Sequence, residues 1–145
     1  MVDIGAKPET EREAVARGRV VMRPETLELI RRGQVAKGDV LAVAQVAGVM
    51  AAKRTPELIP LCHPLLINAV EMRFTFNGAL SAVEIEAAVR VTGRTGAEME
   101  ALTAVAVAAL TVYDMCKGVD PAIRIEGIRL ARKRGGKSGE VVLEP

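Results

Sequence analysis

The stretch from Ile67 to Thr92, INAVEMRFTFNGALSAVEIEAAVRVT, decides the fold. Apolar and polar residues alternate on both sides of Asn77-Gly78, which is the pattern of two half-buried strands. The second strand places one apolar set on one face, namely Val83, Ile85, Ala87, Val89 and Val91. Asn77 and Gly78 both tolerate positive φ, so this pair is a strong hairpin signal. We therefore expect an antiparallel hairpin with one buried face.

Helical patterns flank this hairpin. Pro24 suits the first turn of a short helix, and Gly38-Asp39 precedes a second helix with apolar residues at helical spacing. Prolines 56, 60 and 64 predict an irregular connection over 55–66. The other expected elements are a strand over 12–22, a helix over 97–117 and a strand over 123–130. This order predicts one α+β domain over 1–145, with helices on one face of an antiparallel sheet and mobile residues at 1–11 and 132–145.

The composition excludes several classes of protein. The chain has 145 residues, a formal net charge of +2 and three aromatic residues, Phe74, Phe76 and Tyr113. Modules that bind single-stranded nucleic acid depend on stacking aromatics, and duplex binders carry a marked basic excess. The few aromatic residues and the small net charge therefore argue against a module that binds nucleic acid. A core built from Ala, Val, Leu and Ile makes an oligomer plausible.

Neither a membrane span nor a signal peptide is expected. The longest apolar run, Ala101 to Tyr113, is short for a bilayer, and no basic segment followed by an apolar one opens the sequence. Cys62 and Cys116 lack C-x-x-C spacing, so a disulfide framework is not expected and a reducing cytoplasm is the predicted location.

The long helix carries acidic residues at both ends. Glu98 and Glu100 lie at its start, where the helix dipole favours carboxylates, and Asp114 lies one turn from Lys117 near its end. Asp114 and Lys117 form either a surface ion pair or an acid–base pair. Glu100 and Asp114 share a helix face but lie about 21 Å apart along the axis at 1.5 Å per residue. If both act on one ligand, the ligand is long or the site spans a subunit interface.

The apolar loop Leu58 to Leu65 holds His63, the single histidine, beside Cys62. Three interpretations are open: a histidine hydrogen-bonded within its loop, a metal site with Asp114 and Cys116, or a substrate-binding loop. No recognised ligand spacing supports a metal, so we expect none.

The lysines are few, and several occupy positions suited to anions. Lys37 precedes a helix start, Lys53 follows the same helix, and Lys133 and Lys137 flank a glycine-rich run. None of them lies in a G-x-x-x-x-G-K-[ST] motif, which excludes a P-loop nucleotidase.

Six strings of the sequence resemble the successive motifs of one enzyme family. They are Lys37-Gly38-Asp39-Val40, Ala51-Ala52-Lys53-Arg54-Thr55, Leu58 to Leu65, Thr95 to Thr103, Tyr113-Asp114-Met115-Cys116-Lys117 and Gly135-Gly136-Lys137-Ser138-Gly139. In this order they resemble the molybdenum cofactor biosynthesis protein C family, the cyclic pyranopterin monophosphate synthases. The resemblance covers essentially the whole chain. Arg94, Ala97 and Gly118 depart from the residues common in the family, and Arg94 could alter a phosphate contact.

The resemblance implies a ferredoxin-like subunit in a homohexamer, a trimer of dimers with active sites at dimer interfaces. It implies a lyase that needs no cofactor and converts cyclised dihydro-GTP, supplied by a radical GTP cyclase, to cyclic pyranopterin monophosphate and diphosphate. The implied catalytic residues are Asp114 and Lys117. The implied substrate-binding residues are Leu61, Cys62, His63, Met99, Glu100, Lys37 and Lys53, with Lys133 and arginines as further phosphate cations. The main alternative is a ferredoxin-like module that binds an anionic metabolite without converting it.

Overall fold

The computed structural model describes all residues, 1–145, and its elements follow the expected order. The strands are β1 (Thr10–Val21), β2 (Leu66–Asn77), β3 (Ala82–Gly93), β4 (Arg124–Arg134) and β5 (Glu140–Val142). The helices are α1 (Pro24–Arg31), α2 (Val40–Lys53), α3 (Thr55–Leu58) and α4 (Glu98–Cys116). The predicted α+β, ferredoxin-like class is confirmed.

All five strands form one antiparallel sheet in the order β2-β3-β1-β4-β5. β1 lies at the centre, where Val20 pairs with Val83 and Ala16 pairs with Ala87. Because strand side chains alternate between faces, these pairs place the apolar set of β3 in the core. The expected buried face of the hairpin is confirmed, since all five of its apolar residues on β3 are buried.

Small residues allow α4 to lie close to both the sheet and α2. Ala101, Ala104, Ala108 and Ala109 of this helix are fully buried. Gly48 of α2 faces α4, since a Cβ atom added there would lie 3.2 Å from the Ala104 carbonyl oxygen. Length and composition alone would allow α4 to cross a membrane, but 56% of its most apolar window is buried inside the fold. Here α4 is a core helix.

Two predictions about the connections between elements need correction. Neither Asn77 nor Gly78 has positive φ; Ser81 does, at 52°, because the connection has four residues and the Asn77 side chain accepts a hydrogen bond from the Leu80 N–H. Residues 55–58 are helical, since Pro56 lies in a first turn where no N–H donor is lost.

The chain after Leu130 is also more regular than expected. β4 continues to Arg134, and residues 140–142 add a fifth strand paired with Arg132–Arg134. The charged residues and glycines of this segment have low strand propensity, so the sequence does not predict the hairpin. Pairing with the edge strand β4 stabilises β5 despite that low propensity.

Candidate active site

Helix α4 carries predicted site residues at both of its ends. Glu98 and Glu100 lie in its first turn, and Asp114 lies in its last turn. The rise of an α-helix separates Glu100 from Asp114 by about 21 Å. The structure therefore confirms that one chain cannot bring these two carboxylates into one small pocket.

At the end of α4, Asp114 lies between two lysines. Its Oδ1 is 3.0 Å from Nζ of Lys117, and its Oδ2 is 3.1 Å from Nζ of Lys37. Lys37 also donates to the Asp114 backbone carbonyl at 3.1 Å. The hydrogen bond from Lys117, followed by that from Lys37, lowers the pKa of the Asp114 carboxyl. The structure thus brings together three of the predicted residues, and we call them the lysine–aspartate cluster.

Lys37 reaches this cluster because α2 runs antiparallel to α4. It lies in a turn closed by the hydrogen bond from Gly38 N–H to the Val35 carbonyl, where Gly38 has a φ of 119°. Asp39 then caps α2 by accepting from the Ala42 N–H at 3.1 Å. All three charged side chains of the cluster are more than half exposed, so they are open to a ligand.

At the start of α4, Glu100 is buried and lies near the Cys62 thiol. Burial raises the pKa of Glu100, and the charge of Glu98 adds to the rise. The pKa of Cys62 is also raised, first by burial and then by the negative charge of Glu100. Met99, half-buried, lies between the two acidic residues in sequence. We call this group, with the loop 61–63, the glutamate end of α4.

The loop before β2 brings the remaining predicted residues toward this end. A hydrogen bond from the Cys62 N–H to the Ile59 carbonyl at 3.3 Å shapes it. Leu61 is exposed, and the half-buried His63 imidazole makes no hydrogen bond to the protein, contrary to the interpretation as a histidine bonded within its loop. Lys53, at the end of α2, lines a shallow groove with Asn68 and Leu65.

A cavity of about 460 Å³ opens beside Glu98. Its charged lining holds five cations and two carboxylates: Lys7, Arg12, Lys133, Arg134, Lys137, Glu13 and Glu98. Nζ of Lys133 lies 2.9 Å from Glu98 Oε1. Burial acts to raise the pKa of Glu98, but the hydrogen bond from Lys133 and the charge of Arg12 outweigh it and lower the pKa. The excess of cations makes this basic cavity suited to an anion.

The glycine-rich loop forms one wall of the basic cavity. Gly135, Gly136 and Gly139 all have positive φ, which favours glycine at each position. A Cβ atom on Gly135 would clash with the Glu11 carbonyl oxygen, and one on Gly136 would clash with the Arg12 guanidinium. The loop therefore lies directly against the start of β1.

Sequence reasoning missed Lys7, Thr10 and Arg12 as cavity residues. Arg12 is held by a hydrogen bond from its Nε to the Gly93 carbonyl at 3.1 Å, a contact made across the β1–β3 pair. The Thr10 hydroxyl is buried without a hydrogen-bond partner. The only sign of these cavity residues in the sequence is the presence of Lys7 and Arg12 near its start. That sign does not show which strands pair with β1, so it does not place Arg12 in the cavity.

The structure contains no group of three or more His, Cys, Asp or Glu side chains placed to share a metal ion. Cys62 lies at the glutamate end of α4, while the buried Cys116 lies at the other end near Asp120. Within one chain, α4 therefore keeps Cys62 too far from Cys116 and Asp114 for these side chains to share a metal ion.

The sequence matches one protein family and several named proteins over nearly its whole length. A family model described as the MoaC family matches residues 1–136. A cyclic pyranopterin monophosphate synthase of Roseiflexus castenholzii is 62% identical over 144 residues, which is 99% of this chain and 91% of that protein. Proteins of the same name are 65% identical in Chloroflexus aggregans, over 97% of this chain and 85% of theirs, and in Thermomicrobium roseum, over 96% and 84%.

Proposed function

This chain belongs to the MoaC family, and from that membership we propose how its residues perform the reaction of a cyclic pyranopterin monophosphate synthase. The protein is such an enzyme, a lyase of molybdenum cofactor biosynthesis. The substrate we propose is cyclised dihydro-GTP, which is converted to cyclic pyranopterin monophosphate with release of diphosphate. The observation that carries the assignment of residues is Asp114 held between Lys37 and Lys117.

The lysine–aspartate cluster supplies the proton transfers. Opening the five-membered purine ring and closing the pyran ring each require a proton to move between heavy atoms. Lysine is ordinarily an ammonium ion at neutral pH, so Lys117 acts first as an acid and can act as a base once it has lost its proton. Asp114 fixes the direction of the Lys117 ammonium at 3.0 Å, and Lys37 provides a second ammonium on the other carboxylate oxygen.

The basic cavity binds the phosphates of the substrate. Its five cations outnumber its two carboxylates. Strand pairing fixes the backbone at Arg12, Lys133 and Arg134, and the contact with Glu98 fixes the Lys133 ammonium. Such fixed positive charge stabilises negative charge that develops on a leaving diphosphate, and it does so without reorganisation during the reaction. Lys53, beside the loop that leads to β2, adds positive charge near the same end of α4.

The glutamate end of α4 holds the guanine-derived ring. Glu100 is buried with a raised pKa, and N–H donors on a bound ring would compensate the burial of its charge. Cys62 lies near Glu100, and Leu61, His63 and Met99 are their neighbours in the same loop and helix start. These side chains are therefore the ones we assign to contacts with the ring. Substrate is therefore held at one end of α4, while the proton donors lie at the other.

A second copy of the chain resolves this separation. If two α4 helices lie antiparallel about a two-fold axis near their midpoint, the start of each helix comes beside the end of the other, and two complete sites form. The α2 apolar face, formed by Ala42, Val43, Val46, Ala47 and Met50, is exposed beside this helix and lacks a partner within the chain. It supports an isologous dimer, and the family resemblance extends this to a hexamer of three dimers.

The proposal also places the protein in the cytoplasm, downstream of a radical GTP cyclase that supplies the cyclised nucleotide. It includes no organic cofactor and no metal ion bound by Cys62, His63 and Cys116. Its alternative is a module that binds the same anionic nucleotide without turnover.

One experiment separates these two functions. Purified protein is incubated with the cyclised nucleotide, and diphosphate and cyclic pyranopterin monophosphate are measured together. We expect many equivalents of both products per subunit, in equal amounts. Stoichiometric binding without diphosphate release would instead support the binding module and contradict the enzyme.

A further inference from the structure

The segment after the glycine-rich loop folds back onto β4. β5 pairs with the end of β4, with Glu140 opposite Arg134 and Val142 opposite Arg132. Beyond β5, the N–H groups of Leu143 and Glu144 both donate to the Ala131 carbonyl, at 2.8 and 3.1 Å. The glycine-rich loop is thus the connection of a hairpin rather than a free tail.

The Glu144 carboxylate anchors this return segment. It accepts two hydrogen bonds from Arg129, at 2.8 Å from Nε and 3.2 Å from Nη2, and lies 3.9 Å from Arg17 Nη1. Hydrogen bonds from Arg129, together with its charge and those of Arg17 and Arg19, lower the pKa of Glu144 despite some burial. Bidentate pairs between arginine and carboxylate are the strong, directional kind of ion pair.

The glycine-rich loop has few contacts of its own: two backbone hydrogen bonds close it, from Gly135 N–H to the Gly139 carbonyl and from Gly139 N–H to the Gly136 carbonyl. Three of its five residues are glycines with positive φ, and glycine loses the most backbone freedom on folding. β5 has only three residues and lies at the edge of the sheet, so it adds only three residue pairs with β4. One end of the loop continues from β4, and the other is held by the short β5 pairing, by the backbone hydrogen bonds to Ala131 and by the Glu144 side chain.

We propose that Glu144 is a positioning residue for the basic cavity: its pair with Arg129 holds the glycine-rich loop, and with it Lys137, against the cavity. The proposal rests on the proposed function, in which this cavity binds the substrate phosphates. Lys137 and Ser138 line the cavity only while the loop lies against Arg12. Glu144 itself lies outside the cavity and beyond residue 136, where the family match ends.

The test compares Glu144→Gln, Arg129→Met and their double variant with the wild-type protein. Glu126→Gln is the matched control, because Glu126 pairs with Arg124 at the other end of β4 and contacts neither the loop nor the cavity. Hydrogen exchange of the amides of residues 135–139 reports the order of the loop. Kinetics of diphosphate release give KM and kcat, and calorimetry with inorganic triphosphate gives affinity without turnover.

We expect the loop amides of Glu144→Gln to exchange at least about fivefold faster. KM should rise about tenfold with kcat within about twofold, because binding is weakened and the proton-transfer groups are untouched. Triphosphate affinity should fall in parallel. Since the two residues act as one unit, the double variant should be no worse than either single variant, and Glu126→Gln should behave as wild type.

Other outcomes overturn the inference. If loop exchange is unchanged, Glu144 does not order the loop. If thermal stability falls while KM and triphosphate affinity stay at wild-type values, Glu144 is a structural contact only. If wild-type protein releases no diphosphate but Glu144→Gln still loses triphosphate affinity, the proposed function fails while the positioning role stands.

Discussion

Nζ of Lys37 lies 3.1 Å from Oδ2 of Asp114, and Lys117 occupies the other oxygen of the same carboxylate. One negative charge thus serves two ammonium groups that approach from different elements, a loop before α2 and the end of α4. Asp114 thereby holds the ammonium groups of Lys37 and Lys117 in fixed positions, where either can donate a proton to a bound substrate.

Replacing Lys117 should remove turnover more than binding. Lys117→Met keeps most of the aliphatic side chain but has no transferable proton, so we expect kcat to fall by about a hundredfold or more. Substrate affinity, measured by calorimetry, should change far less than single-turnover diphosphate release. Arg73→Met is the control, since Arg73 forms an exposed ion pair with Glu71 on β2.

His63→Ala should have the opposite effect to Lys117→Met, because we assign His63 to substrate binding and Lys117 to proton transfer. His63 lies in the loop beside Cys62 at the glutamate end of α4, so its loss should weaken affinity more than it slows the bound substrate. A Lys117→Met protein that turns over at nearly the wild-type rate, and only binds weakly, would make Lys117 a phosphate anchor and contradict its catalytic role.

The local part of this site could be predicted from sequence, and the long-range part could not. Helical spacing predicts that Glu100 and Asp114 lie at opposite ends of α4, since the rise per residue is fixed. Arg12 joins the basic cavity only through the pairing of β1 with β3 and the close approach of Gly136. Such contacts depend on strand order, which the alternation of apolar residues does not encode.

If each active site takes Glu100 from one subunit and Lys117 from the other, two inactive variants should restore activity when their subunits are mixed. Glu100→Ala and Lys117→Ala proteins should each be inactive, because each damages one end of every site in a dimer of identical chains. In a mixed dimer one site carries both defects and the other carries none, so mixing with subunit exchange should restore up to about half the activity per mixed dimer. Exchange is followed by differently tagged chains, and proven exchange without recovery would show that each site lies within one chain.

Purified protein should contain no stoichiometric zinc or iron. Within one chain, Cys62 and Cys116 lie at opposite ends of α4, too far apart for a shared tetrahedral site with bonds of about 2 Å. Elemental analysis after purification without chelators measures this directly. One equivalent of zinc per chain that is lost in Cys62→Ser would reassign the loop around His63 from substrate to metal.

Stability at acid pH should depend on Asp120, which connects the end of α4 to the start of α1. Its buried carboxylate accepts hydrogen bonds from the N–H groups of Arg23 and Ala122 and from the Thr26 hydroxyl. Burial acts to raise its pKa, but these donors and the Arg23 charge outweigh burial, so the pKa of Asp120 in the folded state lies below the unfolded value. A depressed folded pKa stabilises the fold above the unfolded pKa, and this contribution is lost as pH falls through the folded pKa.

We therefore expect the free energy of unfolding of the wild type to fall as pH decreases below about 4, the ordinary range for aspartate. Asp120→Asn keeps the shape but loses the charge, so it should be less stable at pH 7 by about 2 kcal/mol, the usual cost of weakening a buried charged hydrogen-bond network. Its decline with acid should be shallower, so that the two urea unfolding curves converge at low pH. Asp3→Asn, at an exposed aspartate, is the matched control and should follow the wild type. A constant difference between wild type and Asp120→Asn from pH 7 down to pH 2 would show that the carboxylate charge at this position does not stabilise the fold.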